Sequence, residues 1–212
     1  MSNSPELVLV AGIDGGGKTT LMDGLQRTLG YMVLEPTRSA EAKEFKSQHT
    51  GLPLDINFVL QRRELFRRIN RSFDQQIAEE LQKSSVATSG LRLITDISHA
   101  VMGKIVGNED FSTAKIIEDC KRSSSLMPST VAFVHAPIDI IRQRILRRQA
   151  RGVSGEDLTG FNSLFFLGHF QEALQEMSEK LADDCRVVSI DTSIHTQAET
   201  LAIFSSANPV LY

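Results

Sequence analysis

A glycine-rich segment near the start of the chain, Gly12-Ile13-Asp14-Gly15-Gly16-Gly17-Lys18-Thr19, constrains the fold more than any other feature. It fits the pattern G-x-x-x-x-G-K-[ST] without a mismatch, and it lies between an apolar run at 7–11 and a helical pattern at 19–29. Glycines let consecutive amide groups turn towards one anion because no Cβ obstructs them. The following helix adds the positive end of its dipole. The segment therefore predicts a loop that binds the phosphates of a nucleoside triphosphate.

The residue types in this loop assign individual roles. We expect Lys18 to neutralise the β- and γ-phosphates and to act in catalysis, and the Thr19 hydroxyl to be the Mg²⁺ ligand. The residues expected to bind ATP are Gly12, Gly15, Gly16, Gly17, Lys18, Thr19 and Thr20. The loop alone leaves open whether water or another acceptor receives the γ-phosphate, because hydrolysing and transferring enzymes share it.

Strand-like and helix-like segments alternate along the rest of the chain. This order predicts an α/β fold of the P-loop NTPase type, with a five-stranded parallel sheet sandwiched by helices and one domain over residues 1–212. The expected strands cover 7–11, 31–34, 85–89, 130–135 and 187–190. The expected helices cover 19–29, 55–83, 111–122, 138–150, 158–181 and 196–204.

Composition and charge limit the kinds of binding partner that the sequence predicts. The net charge of −3 and the pI near 6.0 argue against a nucleic-acid partner, which would favour a basic chain. The sequence contains no signal-like start and no apolar run of the roughly 20 residues that span a bilayer, so no membrane association is expected. The two cysteines, Cys120 and Cys185, lack metal-ligand spacing and indicate free thiols. A cytoplasmic location is expected.

The loop residues also carry a family resemblance. GIDGGGKTT, at 12–20, resembles the phosphate loop of thymidylate kinases, and weaker matches follow in the same order over most of the chain. These are Glu35-Pro36, FVLQRRELF at 58–66, HAPIDIIRQRILRR at 135–148 and VVSIDTS at 187–193. The resemblance implies ATP- and Mg²⁺-dependent phosphoryl transfer to a nucleoside monophosphate, dTMP to dTDP in particular. It also implies a homodimer with nucleotide substrates as its partners.

The same resemblance implies an acceptor site. Phe58 and Arg62 lie four residues apart and share one helical face, so Phe58 would stack on the acceptor base and Arg62 would hold the acceptor's phosphate and act in catalysis. Asp14 would contact the acceptor sugar or the water shell of the magnesium ion. Glu35 would lie near the acceptor or the same waters.

An arginine-rich helix precedes the expected lid, which covers about 149–160 and includes the flexible segment Gly152 to Gly155. The resemblance implies that Arg144 binds ATP and that Arg148 is catalytic. Arginines supplied by a lid can neutralise the negative charge that spreads over a transferring phosphoryl group.

One part of the sequence departs from the family. Thymidylate kinases carry Asp-Arg-Tyr after the third strand, but 86–103 contains no Asp-Arg pair. Arg92 is the candidate replacement, with expected roles in catalysis and acceptor binding, and Asp96 reaches the site only if the loop folds back. His99 is expected to be structural. Two alternatives stay open: a kinase of deoxynucleosides or another small acceptor, and a nucleotide-binding regulator with weakened catalysis.

Overall fold

Five parallel strands form one sheet in the computed structural model, which describes residues 5–35, 40–48, 55–108, 112–123, 125–152, 158 and 163–207. The strands are β1 (Leu7–Ala11), β2 (Met32–Leu34), β3 (Val86–Thr88), β4 (Thr130–His135) and β5 (Arg186–Asp191). Their order across the sheet is β2-β3-β1-β4-β5. The expected P-loop NTPase fold class is thereby confirmed.

Eight helices connect these strands within the described ranges. They are α1 (Lys18–Leu29), α2 (Ala40–Gln48), α3 (Ile56–Leu81), α4 (Arg92–Ile105), α5 (Thr113–Arg122), α6 (Ile138–Ala150), α7 (Leu164–Leu181) and α8 (Gln197–Ala207). Because the sheet is parallel, the carboxyl ends of all its strands meet at one edge, where ligands bind in open α/β folds.

The central strand β1 is buried on both faces, as its uninterrupted apolar sequence predicts. Leu7 and Leu9 point into a core shared with α3, α4 and α7, whereas Val8 and Val10 point into a second core formed with α1 and α8. Helices therefore cover both faces of the sheet. The arrangement fixes the start of the glycine loop, which follows β1 directly.

Two helices were missing from the sequence-based prediction. Helix α2 is short and mostly polar, so it has no apolar stripe to reveal its period. The loop that the sequence predicts after β3 is wrong, because helix α4 occupies this part of the chain. This helix buries nine of its residues, and a helix that is buried nearly all round lacks the polar face that marks a helical period.

Helix α4 runs antiparallel to α3, and both helices pack on the face of the sheet that carries Leu7 and Leu9. Arg92, at its first turn, lies close enough to Asp74 of α3 to influence the pKa of that carboxyl, whereas His99, two turns later, contacts Arg62. Helix α3 has 26 residues, so it is about 39 Å long and extends well beyond the three-residue strand β3. The polar residues of α3 and α4 thus interact at two places along the helix pair.

Candidate functional site

The glycine loop between β1 and α1 has the backbone that phosphate binding requires. Gly15 and Gly17 have φ values of 84° and 103°, in the left-handed region that favours glycine. A Cβ on Gly12 would lie 2.5 Å from the Val134 carbonyl oxygen, and one on Gly16 would lie 3.0 Å from the Ile13 carbonyl oxygen. The loop therefore has no room for larger side chains at these positions.

The start of α1 supplies free amide donors. Gly17 is the N-cap, and no side chain caps the helix. The first-turn amides of a helix have no partner within the helix, so they can donate to bound phosphate. No acidic residue lies in this turn, and Thr19 and Thr20 are exposed. These features fit the phosphates of ATP.

Lys18 folds back over the loop. Its Nζ donates to the Gly12 carbonyl oxygen at 3.0 Å and lies 3.4 Å from Asp14 Oδ1. The Lys18 side chain is 21% exposed and that of Asp14 is 46% exposed. Asp14 thus lies beside the lysine, which offsets its charge, and an incoming phosphate would meet both groups together.

A magnesium ion would depend on few protein ligands at this site. Within the described ranges, no group of three or more His, Cys, Asp or Glu side chains could hold a metal. Mg²⁺ commonly keeps several waters and binds one or two protein ligands together with substrate phosphates. The exposed Thr19 hydroxyl at the start of α1 fits that mode of binding.

Arg144 of α6 binds the backbone of the glycine loop through its guanidinium group. Its Nη1 donates to the Gly15 carbonyl oxygen at 3.1 Å and to Thr192 Oγ1 at 2.9 Å, and its Nη2 donates to the Thr192 carbonyl oxygen at 2.6 Å. Thr192 Oγ1 in turn donates to the Gly16 carbonyl oxygen at 2.9 Å. We call these contacts the loop clamp. Arg144 was expected to bind ATP, and in this structure its guanidinium is engaged with the protein.

Thr192 was not singled out by sequence reasoning. It follows β5 at the carboxyl edge of the sheet, and its amide donates to the His135 carbonyl oxygen at 2.8 Å, which anchors it to β4. A Cβ on Gly17 would lie 3.0 Å from its Cγ2 atom. Its signals in the sequence are its place in VVSIDTS, at 187–193, one of the segments that resemble thymidylate kinases, and a hydroxyl just after a predicted strand.

Helix α6 packs under the loop through its apolar face. Ile141 and Ile145 are fully buried, and a Cβ on Gly15 would lie 3.2 Å from Ile141 Cγ2. Arg148 is half-buried one turn beyond Arg144, on the same face of the helix. The predicted lid continues from here. Its residues 153–157, 159 and 160 lie outside the described residues, so the role of Arg148 stays a prediction.

Arg62 of α3 has the features of an anion ligand. Its Nη1 lies 2.7 Å from His99 Nε2, and its guanidinium carbon lies 4.4 Å from the centroid of the Phe66 ring. Burial lowers the pKa of Arg62 to about 10. Among the described residues, no carboxylate lies within ion-pair distance of this guanidinium.

Phe58 lies in the first turn of α3, where Asp55 Oδ1 caps the helix by accepting from the Phe58 amide at 2.8 Å. Its ring is 9% exposed and packs against Phe45 of α2, with ring centroids 5.3 Å apart. The ring therefore contributes to the core in this structure. Its predicted stacking on an acceptor base stays a prediction.

Arg92 is paired within the protein. Its Nε donates to Asp96 Oδ2 at 3.1 Å, and its Nη1 donates to Ser125 Oγ at 3.1 Å. Asp96 is buried, so solvent screens its ion pair with Arg92 less than it would screen an exposed pair. Asp96 reaches this place because α4 replaces the predicted loop. The expected catalytic role of Arg92 stays a prediction.

Glu35 follows β2 and is exposed at the carboxyl edge of the sheet. The register pairs Leu34 with Thr88, so Glu35 and Ser89 leave adjacent strands at the same level. The neighbouring residues 36–38, which belong to the predicted Glu-Pro match, lie outside the described residues. The position fits the expected proximity to the acceptor without testing it.

Comparison with solved structures identifies the architecture. Deoxyadenosine kinase from M. mycoides, in a structure with dCMP and a flexible dCDP bound, superposes with a TM-score of 0.71 at 14% identity, covering 96% of this chain and all of that one. Thymidylate kinase from Candida albicans gives a TM-score of 0.69 at 16% identity, covering 98% of this chain and 93% of that one. The chain has the fold of these kinases.

A second structure of the M. mycoides deoxyadenosine kinase, with bound dATP, gives a TM-score of 0.70 at 14% identity and covers 96% of this chain and 99% of that one. No family model matches the chain, and no curated protein matches it. Within the described ranges, no helix combines the length and the apolar character that crossing a bilayer requires.

Proposed function

We propose that this protein transfers the γ-phosphoryl group of ATP to a nucleoside monophosphate, dTMP in particular, in a reaction that requires Mg²⁺. The observation that carries the proposal is Arg62 of α3, a partly buried guanidinium without a carboxylate partner among the described residues. A partly buried cation without a counter-charge is unfavourable, so an anionic ligand there gains a strong charge-assisted contact. The phosphate of a nucleotide acceptor supplies such an anion.

The roles of the chain's own groups follow from their positions. The loop amides and Lys18 bind the phosphates of ATP, and Thr19 supplies a hydroxyl to the metal. The loop clamp keeps the Gly15 and Gly16 carbonyl groups turned away from the anion. ATP with Mg²⁺ supplies the phosphoryl group and an electrophilic phosphorus. Arg62 holds the acceptor, and catalysis depends mainly on positioning and on electrostatic stabilisation.

A kinase of deoxynucleosides is the second candidate. Two observations favour it: the likeness to deoxyadenosine kinase, and the pairing of Arg92 with Asp96, which leaves Arg92 less available to an acceptor phosphate. In that case Arg62 would contact a different polar group, and its loss would barely change the KM of the acceptor.

A panel of acceptors separates these possibilities. ADP release is measured in a coupled assay with Mg²⁺, ATP and each nucleoside or nucleoside monophosphate in turn. The proposal expects the largest rate with a monophosphate, and a loss of acceptor affinity in Arg62→Lys because lysine lacks the planar two-donor fork. A preference for an unphosphorylated nucleoside selects the second candidate. ATP binding without any acceptor-dependent release selects a nucleotide-binding regulator and overturns the kinase proposal.

We also propose that the protein is a cytoplasmic homodimer, as the resemblance to thymidylate kinases suggests. Light scattering of the purified chain during size-exclusion chromatography tests the oligomeric state. A mass near twice the 23.5 kDa of one chain supports a dimer, and a mass near 23.5 kDa contradicts it.

A further inference from the structure

His99 is a buried polar residue of α4 that does not belong to the glycine loop. It lies on α4 with no exposed surface, and its Nε2 is 2.7 Å from Arg62 Nη1. Its ring also meets the edge of Phe66, with ring centroids 6.1 Å apart, while Phe66 lies under the Arg62 guanidinium. Arg62 is thus held between a histidine and an aromatic ring.

The chemistry of the two partners fixes the state of the histidine. A guanidinium only donates hydrogen bonds, so His99 Nε2 must accept and must carry no proton. The ring is therefore neutral, with its proton on Nδ1. Burial and the charges of Arg62, Arg63 and Arg67 hold the pKa of His99 well below its ordinary value, which keeps the ring neutral at physiological pH.

A neutral acceptor differs from a carboxylate in its effect on the arginine. A carboxylate at this position would orient Arg62 and also neutralise it, and would therefore compete with an incoming anion. Nε2 orients one N–H of the guanidinium and leaves its positive charge available. The buried Nδ1 makes no hydrogen bond of normal geometry within the described ranges, although a weaker contact with the Thr95 backbone acts on the pKa of the ring. Arg62 is therefore the side chain with a polar group that Nε2 contacts.

We infer that His99 is a positioning residue that aims the charged guanidinium of Arg62 at an acceptor anion without neutralising it. The inference rests on the proposed function for the identity of the anion, a nucleotide phosphate. It assigns no proton transfer to His99. The Phe66 ring also restricts the orientation of the guanidinium, which lies over its face, since cations favour the face of an aromatic ring.

Two substitutions of His99 separate positioning from simple packing. His99→Leu fills the space but removes the acceptor, whereas His99→Gln keeps an acceptor oxygen near the Nε2 position. Hydrogen bonds to charged groups have large effects, so the acceptor KM of His99→Leu is expected to rise by about tenfold or more, with little change in the KM of ATP. His99→Gln is expected to stay within about threefold of the wild type.

The opposite pattern overturns the inference. An unchanged acceptor KM in His99→Leu, or an equal rise in His99→Gln, assigns His99 to packing alone. Thermal unfolding and ATP binding of each variant show whether it is folded, and a His99→Leu chain that fails to fold leaves the comparison to His99→Gln and to the measurement below.

The protonation state of His99 provides a test that needs no activity. Long-range ¹H–¹⁵N correlation spectra of histidine-labelled protein distinguish the two neutral tautomers, and loss of one of the five histidine signals in His99→Gln assigns the resonance. The inference expects a neutral ring with a bare Nε2 throughout pH 6 to 8. A proton on Nε2 contradicts it, even if no acceptor of the phosphoryl group is found, so its failure is distinct from that of the proposed function.

Discussion

Replacing Thr192 by valine removes one hydroxyl from the loop clamp and keeps the shape of the side chain. In the wild type, Oγ1 accepts from Arg144 Nη1 at 2.9 Å, and its one proton is shared between the Gly16 carbonyl oxygen at 2.9 Å and the His135 carbonyl oxygen at 3.1 Å. Valine leaves the Gly16 carbonyl without this donor, and Arg144 Nη1 keeps only its contact with Gly15 from this set. The loop should then occupy its binding conformation for a smaller share of the time.

The size of the effect follows from the groups involved. The hydrogen bond from Arg144 has a charged donor, and the hydrogen bond to the Gly16 carbonyl oxygen lies in a half-buried loop. Loss of both should destabilise the bound conformation by about 1 to 3 kcal/mol. Since 1.4 kcal/mol corresponds to a factor of ten, ATP affinity should fall by about fivefold to a hundredfold. If the substitution also lowers the free energy of unfolding of the whole protein, Tm should fall by about 2 to 4 °C for each kcal/mol.

The assay is calorimetric titration of ATP with Mg²⁺ into each purified variant, with Thr192→Ser as the matched control. Serine keeps the hydroxyl and loses the methyl group near Gly17, so it should bind ATP nearly as well as the wild type. The reasoning is refuted if Thr192→Val binds ATP within about twofold of the wild type. It is also refuted if serine impairs binding as much as valine, because the methyl contact would then be responsible.

Three further perturbations have defined outcomes. Gly12→Ala places a Cβ 2.5 Å from the Val134 carbonyl oxygen and should lower Tm markedly in a thermal scan, whereas Gly168→Ala has open space and should match or exceed the wild type. Burial raises the pKa of Asp74 from 3.8 to about 6, so the folded chain binds this proton more tightly and stability falls as pH rises through that interval. Asp74→Asn should therefore be more stable than the wild type in urea unfolding at pH 7, with a smaller difference at about pH 4. An equal difference at both pH values contradicts this. Lys18→Met should keep the wild-type Tm and lose ADP release, because it removes the charge that the phosphates require.

The fold could be predicted well where local signals were strong. The bounds of β1, β4 and α6 agree with the prediction, because uninterrupted apolar runs mark buried strands and a proline precedes the helix. Helix α4 could not be predicted in this way. Its nine buried residues include polar ones such as Asp96 and His99, whose partners lie on other parts of the structure.

In the candidate site, too, local features could be predicted and contacts between distant residues could not. The glycine loop is contiguous in the sequence, so its conformation could be predicted from residue types alone. The partners of Arg62, Arg92 and Arg144 are distant in the sequence, and Thr192 is 48 residues from Arg144. No local pattern reveals such contacts. The sequence therefore located the arginines but could not show that the protein itself already engages Arg144 and Arg92.

The central claim is that the γ-phosphoryl group bound by the glycine loop passes to a nucleotide acceptor. The most direct measurement is incubation with ATP labelled at the γ-phosphate, Mg²⁺ and dTMP, followed by chromatographic separation of the nucleotides. We expect the label in dTDP for the wild type and not for Lys18→Met. Label that appears only as inorganic phosphate, or that stays in ATP with every nucleoside and nucleoside monophosphate, would contradict the claim.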